Sequence, residues 1–112
     1  MKIAFKDIPI GLFRARVSEI KEKNGPWGPY LRIVFTITEK GLLYHYKFAG
    51  IVKTAPFRQS KLFRWANNIL GQEPEDRFST DELIGKECLI YLSKNGNYYS
   101  VTDVCLNKDV LP

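Results

Sequence analysis

Rings and cations sit close together in the first half of the chain: Arg14, Arg16, Trp27, Tyr30, Arg32, Tyr44, His45, Tyr46 and Lys47, with Lys94 following later. The chemistry open to such a set is non-covalent. Guanidinium and ammonium groups attract anions, and exposed rings stack on flat partners, so a polyanion that carries flat rings satisfies both at once. Groups for bond-making chemistry are sparse. The chain has a single His, no Gly-rich phosphate loop and no cluster with metal-ligand spacing. Asp81 and Glu82 are accounted for as helix-start residues, so the reading is of a protein that is not an enzyme and takes no cofactor or metal. Cys88 and Cys105 are too few and too far apart for a zinc site. Each falls in an apolar strand pattern, which assigns both to the core as reduced thiols.

The charge balance agrees with an anionic partner. Seventeen Lys and Arg against 12 Asp and Glu leave a net charge of +5. Aromatic residues make up 13% of the chain, a high share for a core of this size, so some rings are expected at the surface. The 45% apolar and 26% charged content are those of a folded globular protein, and 112 residues fit one domain spanning 1–112. No apolar run approaches the roughly 18 residues of a bilayer span, and residues 1–10 lack a signal-peptide core. A cytoplasmic protein without a membrane partner is the expectation.

Strands must position these residues. Over residues 12–20, Phe13, Ala15 and Val17 alternate with Arg14, Arg16 and Ser18, giving one apolar and one basic side. Residues 21–29 are polar and end in Gly25, Pro26, Trp27, Gly28 and Pro29, which reads as a loop with Trp27 at its tip. Residues 30–38 form the clearest strand: Leu31, Ile33, Phe35 and Ile37 face one way, Tyr30 and Arg32 the other. A tight turn at 39–41 leads to a third strand over 42–52, paired with the second as a hairpin. There His45 and Lys47 alternate with Tyr44, Tyr46 and Phe48, so one set or the other meets a ligand unless a bulge shifts the register.

Beyond Pro56 the period changes to 3.6. Leu62, Trp65, Ala66, Ile69 and Leu70 make the apolar stripe of a helix that stops at Gly71, with Arg58, Lys61 and Arg64 on its other side as a solvated face or an extension of the cationic track. Ser79 and Glu82 have capping-box spacing for one further turn, closed by Gly85. Residues 87–94 and 97–106 are two strands about Asn95-Gly96, a strong hairpin signal. With Lys94 opposite Asn97, the residues Cys88, Ile90, Leu92, Tyr99, Val101 and Cys105 share the core face. Tyr91, Ser93, Tyr98, Ser100 and Thr102 share the outer one, Tyr91 and Tyr98 forming a cross-strand pair.

Three strands, a helix and two strands predict an all-β fold with one main helix, the five-stranded Greek-key barrel of the OB-fold. An SH3-like barrel lacks the helix, and a ferredoxin-like domain needs one after its first strand, where the chain is short and rich in Gly and Pro. Residues 28–38 (GPYLRIVFTIT), 60–71 (SKLFRWANNILG) and 83–92 (LIGKECLIYL) resemble segments of small phage and mobile-element single-stranded DNA-binding proteins of OB-fold type, a likeness spanning residues 11–106. The resemblance implies binding of single-stranded DNA with little sequence specificity, in replication, recombination or repair. The OB binding face, on strands two and three and the loops bordering them, collects Arg14, Arg16, Trp27, Tyr30, Arg32, Tyr44, Tyr46, Lys47 and Lys94. RNA stands beside DNA as a ligand. Replication or recombination proteins, and further copies of the chain, stand as other partners, and an OB module that binds protein is the alternative function.

Overall fold

Period-two alternation and one switch to helical period lay down, in chain order, β1 (Gly11–Gly25), β2 (Gly28–Ile37), β3 (Lys47–Lys53), α1 (Lys61–Leu70), a single 3-10 turn (Thr80–Leu83), β4 (Glu87–Asn95) and β5 (Tyr98–Cys105). The computed structural model describes residues 1–106; residues 107–112, over which the one-domain reading also extends, lie outside the described residues. The five strands form one antiparallel sheet in the order β3-β2-β1-β4-β5. Among the described residues no ladder joins β3 to β5, so the sheet is open. Its two edges nevertheless approach one another: a Cβ on Gly50 of β3 would lie 2.8 Å from the Val101 carbonyl oxygen of β5 and 2.9 Å from the Trp65 ring. Only a residue without a side chain lets the edges and the helix come this close.

The core lies on the face of the sheet covered by α1. Ala15, Val17, Ile33, Phe35, Ile37, Cys88, Ile90 and Leu92 fill it from the strands, and Trp65, Ala66 and Ile69 from the helix. Trp65 is the largest fully buried side chain and meets Phe35 edge to face, with ring centroids 6.2 Å apart. Helix ends follow the sequence signals. Ser60 Oγ accepts from the Phe63 N–H at 3.1 Å, and Gly71 takes φ +74° as the left-handed cap. The capping box of Ser79 and Glu82 is formed, though around a 3-10 turn.

Five expectations need correction. Residues 21–25 are strand, not loop: β1 continues to Gly25 in register with β2, Gly25 pairs with Gly28, and only Pro26 and Trp27 turn the chain. Polar side chains on both faces concealed a ribbon that runs past the core. The third strand begins at Lys47, because residues 38–46 make a wider connection in which His45 takes φ +72° and Leu43 turns inward to a buried position. Alternation of Tyr44, His45 and Tyr46 therefore does not describe a strand.

The last hairpin is also shifted. Asn95 pairs with Tyr98 and Lys94 with Tyr99, so Gly96 and Asn97 form the turn, Gly96 at φ +63°. The shift of two keeps every side chain on its expected face near the turn. Beyond a bulge opposite Tyr91 and Leu92 the faces exchange: Val104 is buried and Cys105 only half-buried, contrary to its assignment to the core. Tyr91 then pairs with Asp103 and not with Tyr98. Burial foremost, with Glu87 and Cys105 adding, pushes the Cys88 thiol up to about 12. Cys105 is raised mainly by desolvation and by Asp103, with Arg64 opposing.

Candidate nucleic-acid interface

The register of β1, β2 and β3 arranges the side chains that do not face the α1 core in cross-strand rows, Val34 and Thr36 among them being buried. Lys23, Tyr30 and Lys53 form one row; Lys21, Arg32 and Ile51 the next; Glu19, Val34 and Ala49 a third; Arg16, Thr36 and Lys47 the last. A bulge at Ser18 makes this possible. It shifts β1 by one residue, so Val17 and Ile20 both point into the core while Arg16 and Lys21 both point out. Adjacent strands lie about 5 Å apart, so each row holds its members in direct contact range.

A groove of about 630 Å³ opens between this face, the start of α1 and β5, lined among others by Arg32, Lys47, Ile51, Lys61, Tyr98 and Tyr99. Tyr98 is 77% exposed, a ring open to solvent at the groove's rim. Lys61 Nζ lies 4.7 Å from the Trp65 ring centroid, and Lys94 Nζ 5.6 Å from that of Tyr99. Both ammonium groups are thereby held over rings, on side chains that are exposed. Lys21 pairs with Glu19 at 3.2 Å, whereas Arg16, Lys23, Arg32, Lys47 and Lys53 make no ion pair among the described residues.

The residues singled out from sequence distribute unevenly over this geometry. Arg32 and Lys47 line the groove; Tyr30 stands one row from Arg32, and Arg16 shares the row of Lys47. Trp27, at the hairpin tip, is 85% exposed. Tyr44 and Tyr46 are exposed too, but in the β2–β3 connection, about 20 Å from Tyr30 along the strands, and the Tyr44 ring lies against His45 at 3.7 Å. Arg14 is placed beyond the β1–β2 ladder, opposite Leu89 of β4; its backbone carbonyl accepts from the Thr38 and Glu39 N–H groups. Lys94 reaches the groove only through Tyr99.

Sequence reading left out Lys21, Lys23, Ile51, Lys53, Tyr98 and Tyr99 as members of this face, and had Lys61 only as a solvated helix position or an extension of the cationic track. Lys53 and Ile51 were visible as the outward half of the β3 alternation. Lys21 and Lys23 required the hairpin register, which a turn at Pro26-Trp27 fixes by simple counting. The groove residues of β5 required the approach of the two sheet edges, for which Gly50 is the only local signal. Arg58 and Arg64 do not join them. Arg58 is tied to Asp76, and Arg64 to Asp103 at 3.1 Å.

No helix among the described residues is long and apolar enough to cross a membrane. Compared with models of known families and with curated proteins, the chain matches none.

Proposed function

We propose that the chain binds single-stranded nucleic acid, DNA in the first instance, along the outer face of β2 and β3, with the groove beneath β5 as its centre. One observation carries the reading: unpaired cations and rings share a single groove, Arg32, Lys47 and Lys61 beside the exposed Tyr98 and the half-buried Tyr99. Cations follow the phosphates and rings stack on bases, each stacked base contributing roughly 1 to 3 kcal/mol. A duplex has no unstacked base to offer, so the rings favour single strands. Since every base has a π-face, little sequence preference is expected.

The fold reading that accompanies this is an OB-type barrel. The strand order β3-β2-β1-β4-β5, with β3 and β5 meeting at Gly50 and Val101 and a helix between β3 and β4, is consistent with that barrel. In OB-folds the strand 2–3 face and the loops after strands one and four hold oligonucleotides, and here those loops carry Trp27 and the Gly96-Asn97 turn beside Tyr98. A role in replication, recombination or repair belongs to the same proposal.

Fluorescence anisotropy of labelled dT, dA and rU oligomers, with a duplex of equal length, at two salt concentrations tests it. Single strands are expected to bind tighter than duplex, with affinity falling as salt rises at a log–log slope of about −0.7 per phosphate contacted. Equal or tighter duplex binding would sink the proposal. A slope near zero, with salt-insensitive binding to a protein, would transfer the face to a protein partner.

A further inference from the structure

Ahead of β1, residues 1–10 belong to no helix or strand, yet they carry large apolar side chains in the open: Ile3, Phe5, Ile8 and Ile10 are all exposed, Phe5 to 94%. Two of them, Ile3 and Phe5, alternate at period two between Lys2, Ala4 and Lys6. An extended segment with this pattern presents one apolar and one basic edge. Leaving it uncovered exposes contiguous apolar surface of the kind that marks an interaction site.

A second cavity, of about 460 Å³, lies between α1 and the segments flanking it. Phe57, Leu62, Phe63, Pro74 and Phe78 line it, and its size falls within the range of roughly 300 to 1,000 Å³ in which proteins seat ligands. Glu73, Glu75 and Asp76 stand at or beside its rim against Arg58 and Arg77, an excess of negative charge. Arg58 is already bound to Asp76, whereas Glu75 makes no ion pair among the described residues. No residue of the 1–10 arm lines this cavity.

An apolar, basic arm and an apolar, acid-rimmed cavity are thus present in one chain, each without its complement. We propose that residues 2–6 of one copy dock in the α1 cavity of a second copy, Phe5 entering among Phe57, Phe63 and Phe78 and Lys6 lying against Glu75. Exchanged reciprocally about a two-fold axis, the two arms close a dimer and leave no unpaired site to propagate. The nucleic-acid groove lies outside both elements. Each protomer therefore keeps its own groove.

Sedimentation equilibrium of the full chain over a concentration series at low salt tests the proposal, with thermal melting to verify that each variant is folded. The wild type is expected to dimerise. Phe5→Asp, which touches nothing within its own chain's core, is expected to weaken the dimer at least about tenfold, as loss of a buried Phe requires. Lys6→Glu alone is expected to weaken it as well, and adding Glu75→Lys to recover it. A wild type that stays monomeric, a Phe5→Asp protein that dimerises like the wild type, or a reversed pair that recovers nothing overturns the proposal. So does a Phe5→Asp protein with unaltered association but reduced oligonucleotide affinity, which would assign the arm to the nucleic-acid interface.

Discussion

Cations occur at regular spacing in two parts of this chain, and their surroundings differ. Beside α1, Arg58 is held by Asp76 with Glu73 at 3.9 Å, and Arg64 by Asp103 at 3.1 Å. On the outer face of β1, β2 and β3 one acid, Glu19, pairs with Lys21, and the cross-strand neighbours of cations are other cations or neutral groups: Lys21 beside Arg32, Lys23 and Lys53 on either side of Tyr30, Arg16 and Lys47 on either side of Thr36. Like charges facing one another across strands oppose folding, by a few tenths of a kcal/mol to about 1 kcal/mol each. Arginines in and just before α1 that have found carboxylates are explained by the folded chain alone. A sheet face on which Arg16, Lys23, Arg32, Lys47 and Lys53 have no carboxylate among the described residues is what the proposed anionic ligand would account for. Counting Lys and Arg would have ranked the two alike; pairing separates them.

The largest effect expected from breaking this contrast is on the helix side, and it is on stability. Trp65 is fully buried, packs on Phe35 and fills the space left by Gly50. Trp65→Ala should cost about 3 to 5 kcal/mol, read as a fall in the urea midpoint. Its effect on oligonucleotide affinity, measured on the folded protein, should be limited to the positioning of Lys61, whose ammonium rests on that ring. An unchanged midpoint would mean that α1 does not carry the core. Trp65 Nε1 is buried without a hydrogen-bond partner, so Trp65→Phe removes an unsatisfied donor along with part of the ring and should cost less than the alanine variant.

On the sheet side the expectation inverts. Trp27 and Tyr98 are exposed and contribute little to folding, so Trp27→Ala and Tyr98→Ala should leave the thermal midpoint nearly unchanged. Each should weaken binding of a dT oligomer by about 1 to 3 kcal/mol. Tyr30 is the less clean probe, because its half-buried ring packs near Gly25, where a Cβ would meet it at 3.0 Å. If Trp27→Ala and Tyr98→Ala lower the midpoint and leave affinity intact, these rings are structural and the groove is not where bases stack.

How much of this was legible in the sequence follows from the range of each signal. Leu31, Ile33, Phe35 and Ile37 declare an inner face by simple alternation, and the helix announces its C-terminal end through Gly71; these are local, and they are as expected. Trp27 at a hairpin tip was equally readable. Register is not local. One bulge at Ser18 and one opposite Tyr91 decide that Lys21 joins Arg32 and that Val104 displaces Cys105 from the core, and a bulge leaves almost no trace in composition. The positions of Tyr44 and Tyr46 failed for another reason. A β-rich composition resembles a strand even where His45 at φ +72° turns the chain, and nothing but the backbone distinguishes the two.

The smallest expected effect is the sharpest test of the comparison, because it opposes two pairs of substitutions of the same chemical kind. Arg32→Ala with Lys47→Ala removes two groove cations that have no ion pair among the described residues, so folding should be unaffected or slightly favoured as like-charge repulsion falls. The salt dependence of single-strand binding should become shallower by about 1.4 in log–log slope, since each lost phosphate contact removes about 0.7. Arg58→Ala with Arg64→Ala removes two arginines already held by carboxylates, both more than half exposed, so stability should fall by less than about 1 kcal/mol per pair. Its salt slope should stay that of the wild type. Titrating both double variants against the same dT oligomer across a salt series gives the two slopes directly. Should the Arg58 and Arg64 pair flatten the slope as much as the groove pair, these arginines leave their carboxylates for phosphates on binding, and the track extends around the edge of β3 onto α1 and the turn before it.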